Sequence, residues 1–399
     1  MNLRGRGAFE RRIRNRIVGP AHRFTVIAPA ELSPLCLREI AGLGIENAET
    51  SEAGVEFTGK LTAAYTSNLW SRTASRVLCR LEPFRAGVPE ELLHRVAGIP
   101  WELWLNPSIP LNIESHVEYS RVSHEGLVSE LVYRGIEKSV RLSLGQRMTD
   151  EKSVTGSGLQ QRVLVHLTRN QCRISLDTSG AHLHERGYRL THAGAPLRET
   201  LAAAIILKMG WNGLSPLIDG MCGSGTFPIE SALIARRLPP GLHRQFLFQK
   251  WPSFQDKTWD YLCQSARAGV VSGSIRPIIG IDKDRESIRI SEQNAVRAGV
   301  GGDIDWKCMD FFDFDPAAEK LEKGALLLNP PFGKRLEGGG RHFYARIGDH
   351  LRHRYRGWHY AVLSLTRNEA SALGMGRMRL WAFRHGGVTI YAALGTVPL

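Results

Sequence analysis

Apolar and polar positions divide the chain into two textures. In the first, short segments of different period follow one another. "RFTVIAP" (23–29) alternates as a strand does, and "ELSPLCLREIAGLG" (31–44) has apolar residues at helical spacing before closing on Gly42 and Gly44. "GVEFTG" (54–59) predicts a second strand, "LTAAYTSNLWSR" (61–72) a helix and "SRVLCRLEPF" (75–84) another strand. A helix over 90–98, a strand over 110–120, a helix over 126–142 and a strand pair at 162–170 and 171–180 complete this mixed α/β part.

From about residue 196 the alternation becomes longer and more regular. It predicts a helix over 196–210, a strand ending at Asp219, a helix over 226–237, a strand over 276–282, a helix over 284–298, and strands at 305–309 and 325–328. Strands separated by helices imply a parallel, doubly wound sheet. The run "RMRLWAFRHGGVTIYAALG" (377–395) reads as two strands joined at Gly386 and Gly387, so the sheet is expected to finish with an antiparallel hairpin. Residues 238–275 lengthen one connection well beyond an ordinary βα loop.

Composition narrows the class. At 399 residues and 43% hydrophobic, the chain is long enough for two or three globular domains, and no stretch approaches the roughly 18 apolar residues of a membrane span. Cys36, Cys79, Cys172, Cys222, Cys263 and Cys308 are scattered without metal-ligand spacing, which predicts free thiols in a reducing, cytoplasmic compartment and no metal site. A formal charge of +13 points to a polyanionic partner.

The first chemical signal is "SPLIDGMCGSGTFPIESALIARR" (215–237): an apolar strand, a glycine-rich turn and a helix. Such a turn lets backbone approach a ligand at a helix N-terminus. A dinucleotide fingerprint wants a small residue where Pro228 stands, and Asp219 closes the strand where a carboxylate would repel a pyrophosphate. A cationic ligand without phosphate, S-adenosylmethionine, fits the charge pattern better than NAD. Asp282 ends the next strand, suited to ribose hydroxyls, and Asp310 follows the third, within reach of an adenine amine. Asp282 comes 57 residues after Gly225 rather than about 20, a gap that the 238–275 insertion explains. Each aspartate alone would read as a capping residue; three on consecutive strand ends behind one loop point to a ligand.

The second signal is Asn329-Pro330-Pro331-Phe332, directly after the fourth strand. An exocyclic amine on a nucleobase is a poor nucleophile because its lone pair is delocalised into the ring. The Asn329 side-chain oxygen and the Pro330 carbonyl, stiffened by the prolines, can accept from its hydrogens and localise that pair. Phe332 is then placed to stack on an extruded base.

"DGMCGSGT" and "NPPF" resemble the first and fourth motifs of class I S-adenosylmethionine-dependent amino-methyltransferases. The run "LDTSGAHLHERGYRLTHAGAPLRETLAAAIILKMGW" (176–211) looks like the join between a THUMP domain and the catalytic domain of RlmL-like ribosomal RNA N2-guanine methyltransferases. The arginine-rich start predicts a basic, flexible tail (1–22), and the resemblance implies a ferredoxin-like segment (23–64), a mixed α/β THUMP domain that binds RNA (65–180) and a Rossmann-like methyltransferase domain (181–399). By position, Asp219, Gly223 and Gly225 would form the cofactor loop, Asp282 would hold the ribose, Asp310 the adenine, and Asn329, Pro330 and Phe332 the target base. The best-known relative carries a second methyltransferase domain not seen here, so the N2-guanine activity alone is implied. Phe332 replaces a commoner tyrosine, and either ring can stack.

Lys334, Arg335, Arg341, Arg346, Arg352, Arg354 and Arg356 face only Glu337 and Asp349 in the stretch after this motif. Phe343, Ile347, Leu351 and Tyr355 recur every fourth residue, predicting a helix that buries that stripe. Lys334, Arg335, Arg341 and Arg346 are candidate RNA contacts, with a solvated face as the alternative. The expected reaction is methyl transfer to guanine N2 in 23S ribosomal RNA. Transfer RNA guanine, an adenine N6 amine, a glutamine side chain and a non-catalytic RNA-binding role are the competing readings.

Overall fold

Strand pairing in the computed structural model sorts the chain into two sheets, each in its own compact unit. The structure describes residues 3–149, 159–189, 197–331 and 340–399. One unit comprises residues 1–183 with 244–264, the other 184–243 with 265–399.

In the first unit the strands are β1 (His22–Ile27), β2 (Glu49–Ser51), β3 (Gly54–Gly59), β4 (Arg76–Arg80), β5 (Phe84–Arg85), β6 (Leu111–Glu118), β7 (Gln161–Thr168) and β8 (Gln171–Asp177). The helices are α1 (Leu3–Ile13), α2 (Ser33–Gly42), α3 (Leu61–Trp70), α4 (Pro89–Ala97) and α5 (Glu125–Leu144). The sheet runs β2-β3-β1-β4-β8-β7-β6, with β5 pairing β8. Its β2-β3-β1-β4 portion, with α2 and α3 as the crossovers, has ferredoxin-like order. The boundary expected at residue 64 falls inside α3, and the fourth strand of this arrangement, β4, lies beyond it.

Two expectations for this unit need correction. The tail of residues 1–22 is not a flexible extension over its described part: α1 and a π-helical turn over Arg14–Val18 carry Ile13 and Ile17 into the core. Those two residues stand four apart on one helical face, and Arg12 pairs with the buried carboxylate of Glu102. The insertion is also more than a lengthened catalytic loop, since 244–264 belongs to this unit. Phe248 stacks on Tyr65 at 4.3 Å between ring centres, Trp259 meets both edge-on, and the backbone N–H of Phe248 donates to the Thr178 carbonyl at 3.0 Å.

The second unit contains β9 (Leu217–Asp219), β10 (Ile278–Asp282), β11 (Asp305–Cys308), β12 (Ala325–Leu328), β13 (His359–Ser364), β14 (Met378–His385) and β15 (Val388–Thr396). Its helices include α6 (Glu199–Lys208), α7 (Thr226–Ala235), α9 (Arg285–Arg297), α10 (Gly340–Arg354) and α11 (Arg367–Ala372), with α8 (Asp256–Ala268) lying within the insertion. The order is β11-β10-β9-β12-β13-β15-β14, parallel from β11 to β13 and antiparallel at β15. The hairpin forms as expected, its two-residue turn using positive φ at Gly386 and Gly387. The reversed strand β15 sits inside it, and β14 is the outer edge.

β12 is fully buried along Ala325–Leu328, as a central parallel strand covered on both faces must be. On α10, Tyr344, Ile347, Gly348 and Leu351 face the core, as does Tyr355 just beyond its end, with Tyr344 rather than Phe343 fully buried. The six cysteines form no disulfide, and only Cys308 is exposed.

Candidate active site

β9 lies between β10 and β12, so the crossovers diverge there and open a crevice at the carboxyl ends of the strands. The loop Gly220–Gly225 leaves β9 into this crevice and starts α7. Gly220 donates to the Leu327 carbonyl at 3.1 Å, and a Cβ there would lie 2.3 Å from Phe311 and 2.7 Å from Leu328. Only glycine lets the strand end pass so close to those side chains. Gly225 has φ +82° and rests against Ser291 and Trp306, whereas the space a Cβ would take at Gly223 is open.

All three aspartates gather on this rim, and each also caps local backbone. The Asp219 carboxylate accepts from the Met221 N–H at 3.2 Å. Asp282 accepts from Gly223 at 2.9 Å and from Asp284 at 3.0 Å, tying β10 to the glycine loop. Asp310 accepts from Phe312 at 2.9 Å. Burial raises the Asp219 pKa well above the ordinary carboxylate value, the Met221 N–H opposes this, and the charge of Asp282 adds to it. Burial thus disfavours the ionised form of this carboxyl, and a positive charge beside it would favour that form.

Asn329 follows β12 directly, so it emerges next to the glycine loop on the same rim. Its Oδ1 is buried and has no hydrogen-bond partner, an arrangement that costs stability unless a donor is supplied. Pro330 is buried beside it and Pro331 is exposed. Phe332, Lys334 and Arg335 lie outside the described residues. Arg341 is exposed at the start of α10, and Arg346 lays its guanidinium 3.8 Å from the centre of the Phe312 ring, two residues beyond Asp310. Arg352 and Arg354 are taken up by Leu373, Gly374 and Asp349, and by Asp315.

Several residues that shape the site are absent from the motif reading. Ser291 and Asn294 on α9 donate to the Gly223 and Ser224 carbonyls at 2.7 and 3.1 Å and are completely buried. Their signal is polarity at core-facing helical positions beside Ile288 and Ala295. Trp306 of β11 packs over Gly280, where a Cβ would meet it at 2.4 Å, and Pro228 approaches the same glycine. Close helix–strand packing is therefore served by a glycine on the strand, which is why Pro228 is tolerated on the helix. Behind the loop, Glu230 accepts from Arg186 and from the Tyr188 hydroxyl, while Arg189 reaches Glu199 and donates to the Thr226 hydroxyl at 2.5 Å. These side chains are almost wholly buried.

Among the described residues no group of three His, Cys, Asp or Glu side chains is placed to hold a metal ion, and no helix is long and apolar enough to cross a membrane.

Comparison with known proteins places the chain in a family. The model of the UPF0020 family, described as the RMKL-like methyltransferase domain, matches residues 186–388, and that of the RlmL ferredoxin-like domain matches 23–78. The second match extends through most of β4. The protein slr0064 of Synechocystis, provisionally named an RNA methyltransferase, is 34% identical over 360 residues, covering 90% of this chain and 92% of that protein. The ribosomal RNA large subunit methyltransferase K/L of Syntrophotalea carbinolica is 34% identical over 376 residues, 92% of this chain and 52% of its own. The chain thus spans about half the length of that relative. Among solved structures, SMU.472 complexed with SAH superposes with a TM-score of 0.81 at 25% identity, covering 94% of this chain and 98% of that one.

Proposed function

The chain belongs to the RMKL-like methyltransferases and uses S-adenosylmethionine, and from that premise we propose that it methylates the exocyclic N2 of a guanine in 23S ribosomal RNA. The observation that carries the acceptor chemistry is the buried, unpartnered Oδ1 of Asn329 beside the glycine loop. A planar amine supplies the donor that this oxygen lacks. The naming of ribosomal RNA in the K/L relatives supports the choice of substrate.

When bound, the cofactor supplies an electrophilic methyl group on a sulfonium. Gly223 and Gly225 would let the backbone approach it, with open space at Gly223. Asp219 would answer its positive charge, Asp282 its ribose hydroxyls and Asp310 its adenine amine. Asn329 Oδ1 and the Pro330 carbonyl accept from the two hydrogens of the guanine amine, drawing the nitrogen toward tetrahedral geometry and localising its lone pair. Once methylated, the nitrogen is cationic. The same two oxygens hold its protons until one passes to water, so no strong base is required. Phe332 would stack on the extruded base, and Lys334, Arg335, Arg341 and Arg346 would meet flanking phosphates. We assign β6–β8 with α4 and α5 to an RNA-binding THUMP module, and place the protein in the cytoplasm with its substrate.

The test is transfer of tritium from methyl-labelled cofactor to 23S ribosomal RNA transcribed in vitro, followed by nuclease digestion. Label in N2-methylguanosine is expected; label in N6-methyladenosine, or in transfer RNA alone, would sink the assignment. Asn329→Ala should lower kcat by about 10²–10³-fold with cofactor affinity retained. Equal loss of both would mean that Asn329 does not act on the acceptor.

A further inference from the structure

Three residues of α10 surround a single ring. Phe343 and His350 meet Phe312 edge-on, with ring centres 6.0 and 5.3 Å away, and Arg346 lays its guanidinium over the face at 3.8 Å. Their spacing of three and four residues puts all three on one side of the helix. Phe312 is also the residue whose N–H binds one oxygen of the Asp310 carboxylate at 2.9 Å. The other oxygen of Asp310 accepts no hydrogen bond among the described residues, so it is the one open to an adenine amine. Through one ring, α10 steadies the backbone that aims this carboxylate.

Arg346 has a further capacity that the protein itself leaves unused. It is exposed, and its N–H groups have no hydrogen-bond or ion-pair partner among the described residues, whereas Arg352 and Arg354 on the same helix are occupied by Asp349 and Asp315. A guanidinium is planar, so its face can lie on a ring while its edge donates to an anion. Without such partners an exposed arginine samples many rotamers, which gives this side chain two states, stacked on Phe312 or free in water. Adenine bound at Asp310 favours the stacked state by steadying Phe312, and a phosphate on the N–H edge favours it by fixing the guanidinium. Two ligands that favour the same state strengthen each other's binding, and the effect is mutual.

We propose that Arg346 is a positioning residue that couples the two substrates: its face braces Phe312, and through it Asp310, against the adenine of the cofactor, while its free edge takes a phosphate of the RNA. Cofactor and RNA then each bind more tightly when the other is present. This rests on the reading of Asp310 as the adenine acceptor and of RNA as substrate, and adds the link between them.

The experiment measures binding of labelled 23S ribosomal RNA to the full chain with and without saturating S-adenosylhomocysteine, which cannot donate a methyl group, and calorimetric affinity for S-adenosylhomocysteine with and without RNA. Wild type should bind RNA at least about fivefold more tightly when S-adenosylhomocysteine is present, and the reciprocal measurement should return the same factor. Arg346→Lys keeps the charge and loses the planar face, so with the cofactor site empty it should bind RNA within about threefold of wild type while the coupling factor falls below about twofold. Phe312→Leu removes the ring and leaves the arginine, and should lose the coupling in the same way. Arg341→Lys, at the exposed start of the same helix, should retain it. A brace with a structural role only would lower melting temperature or either affinity and leave the factor unchanged. Full coupling in Arg346→Lys or Phe312→Leu, or none in a wild type that binds both ligands, would overturn this inference and leave the methyltransferase reading standing. A wild type that binds S-adenosylhomocysteine and no RNA would overturn the RNA reading with it.

Discussion

Asp219 shows how one residue can be both structural and chemical. Its backbone cap to Met221 makes it a turn residue, and its burial makes it a carboxyl whose pKa is raised. Because its folded pKa is raised above the unfolded value near 3.8, its contribution to stability is full below that value and is lost as pH rises through the folded pKa. A cation bound beside it favours the ionised form, so cofactor binding should release protons from this carboxyl and tighten as pH rises toward its raised pKa. Calorimetry in two buffers of different ionisation heat should detect that proton in wild type and lose it in Asp219→Asn; identical heats from both proteins would contradict this role. The rim aspartates are legible in the sequence because they punctuate strand ends at regular places. Ser291 and Asn294 are much less so, since polar residues in a helix become informative only once the buried face is known.

At the scale of elements, the cluster behind the loop joins the entry segment of the second unit to α7. Glu230 accepts from both Arg186 and Tyr188 with almost no exposure, so Glu230→Ala leaves the Arg186 guanidinium buried without that carboxylate. The expected cost is about 3–5 kcal/mol, read as a lowered denaturant midpoint with unchanged slope. A loss within about 0.5 kcal/mol would show that the network is incidental. Most elements are legible from periodicity because they bury one face. β13 is not: nearly every residue of His359–Ser364 is buried, so no alternation marks it, and a short apolar run of that kind suits a helix equally well. β2 is legible to neither test, being three partly or fully exposed residues on an edge.

At the scale of the molecule, the assignment of 244–264 to the first unit is the feature that sequence order conceals. A linear reading gives each stretch to the domain that surrounds it, whereas ring packing among Tyr65, Phe248 and Trp259 is a tertiary fact without sequence spacing. Trp259→Ala should cost about 3–5 kcal/mol, and hydrogen exchange should report it as lost protection in α3, at the other end of that packing. Unchanged exchange over Leu61–Trp70 would mean the rings touch without supporting the helix. The borrowed segment also sets a schedule for biosynthesis. A nascent chain usually completes its leading domain while the rest is still being translated. Here the ring partners of Tyr65 are decoded almost two hundred codons later, so the portion that leaves the ribosome first must wait, with an aromatic surface uncovered, for its last piece.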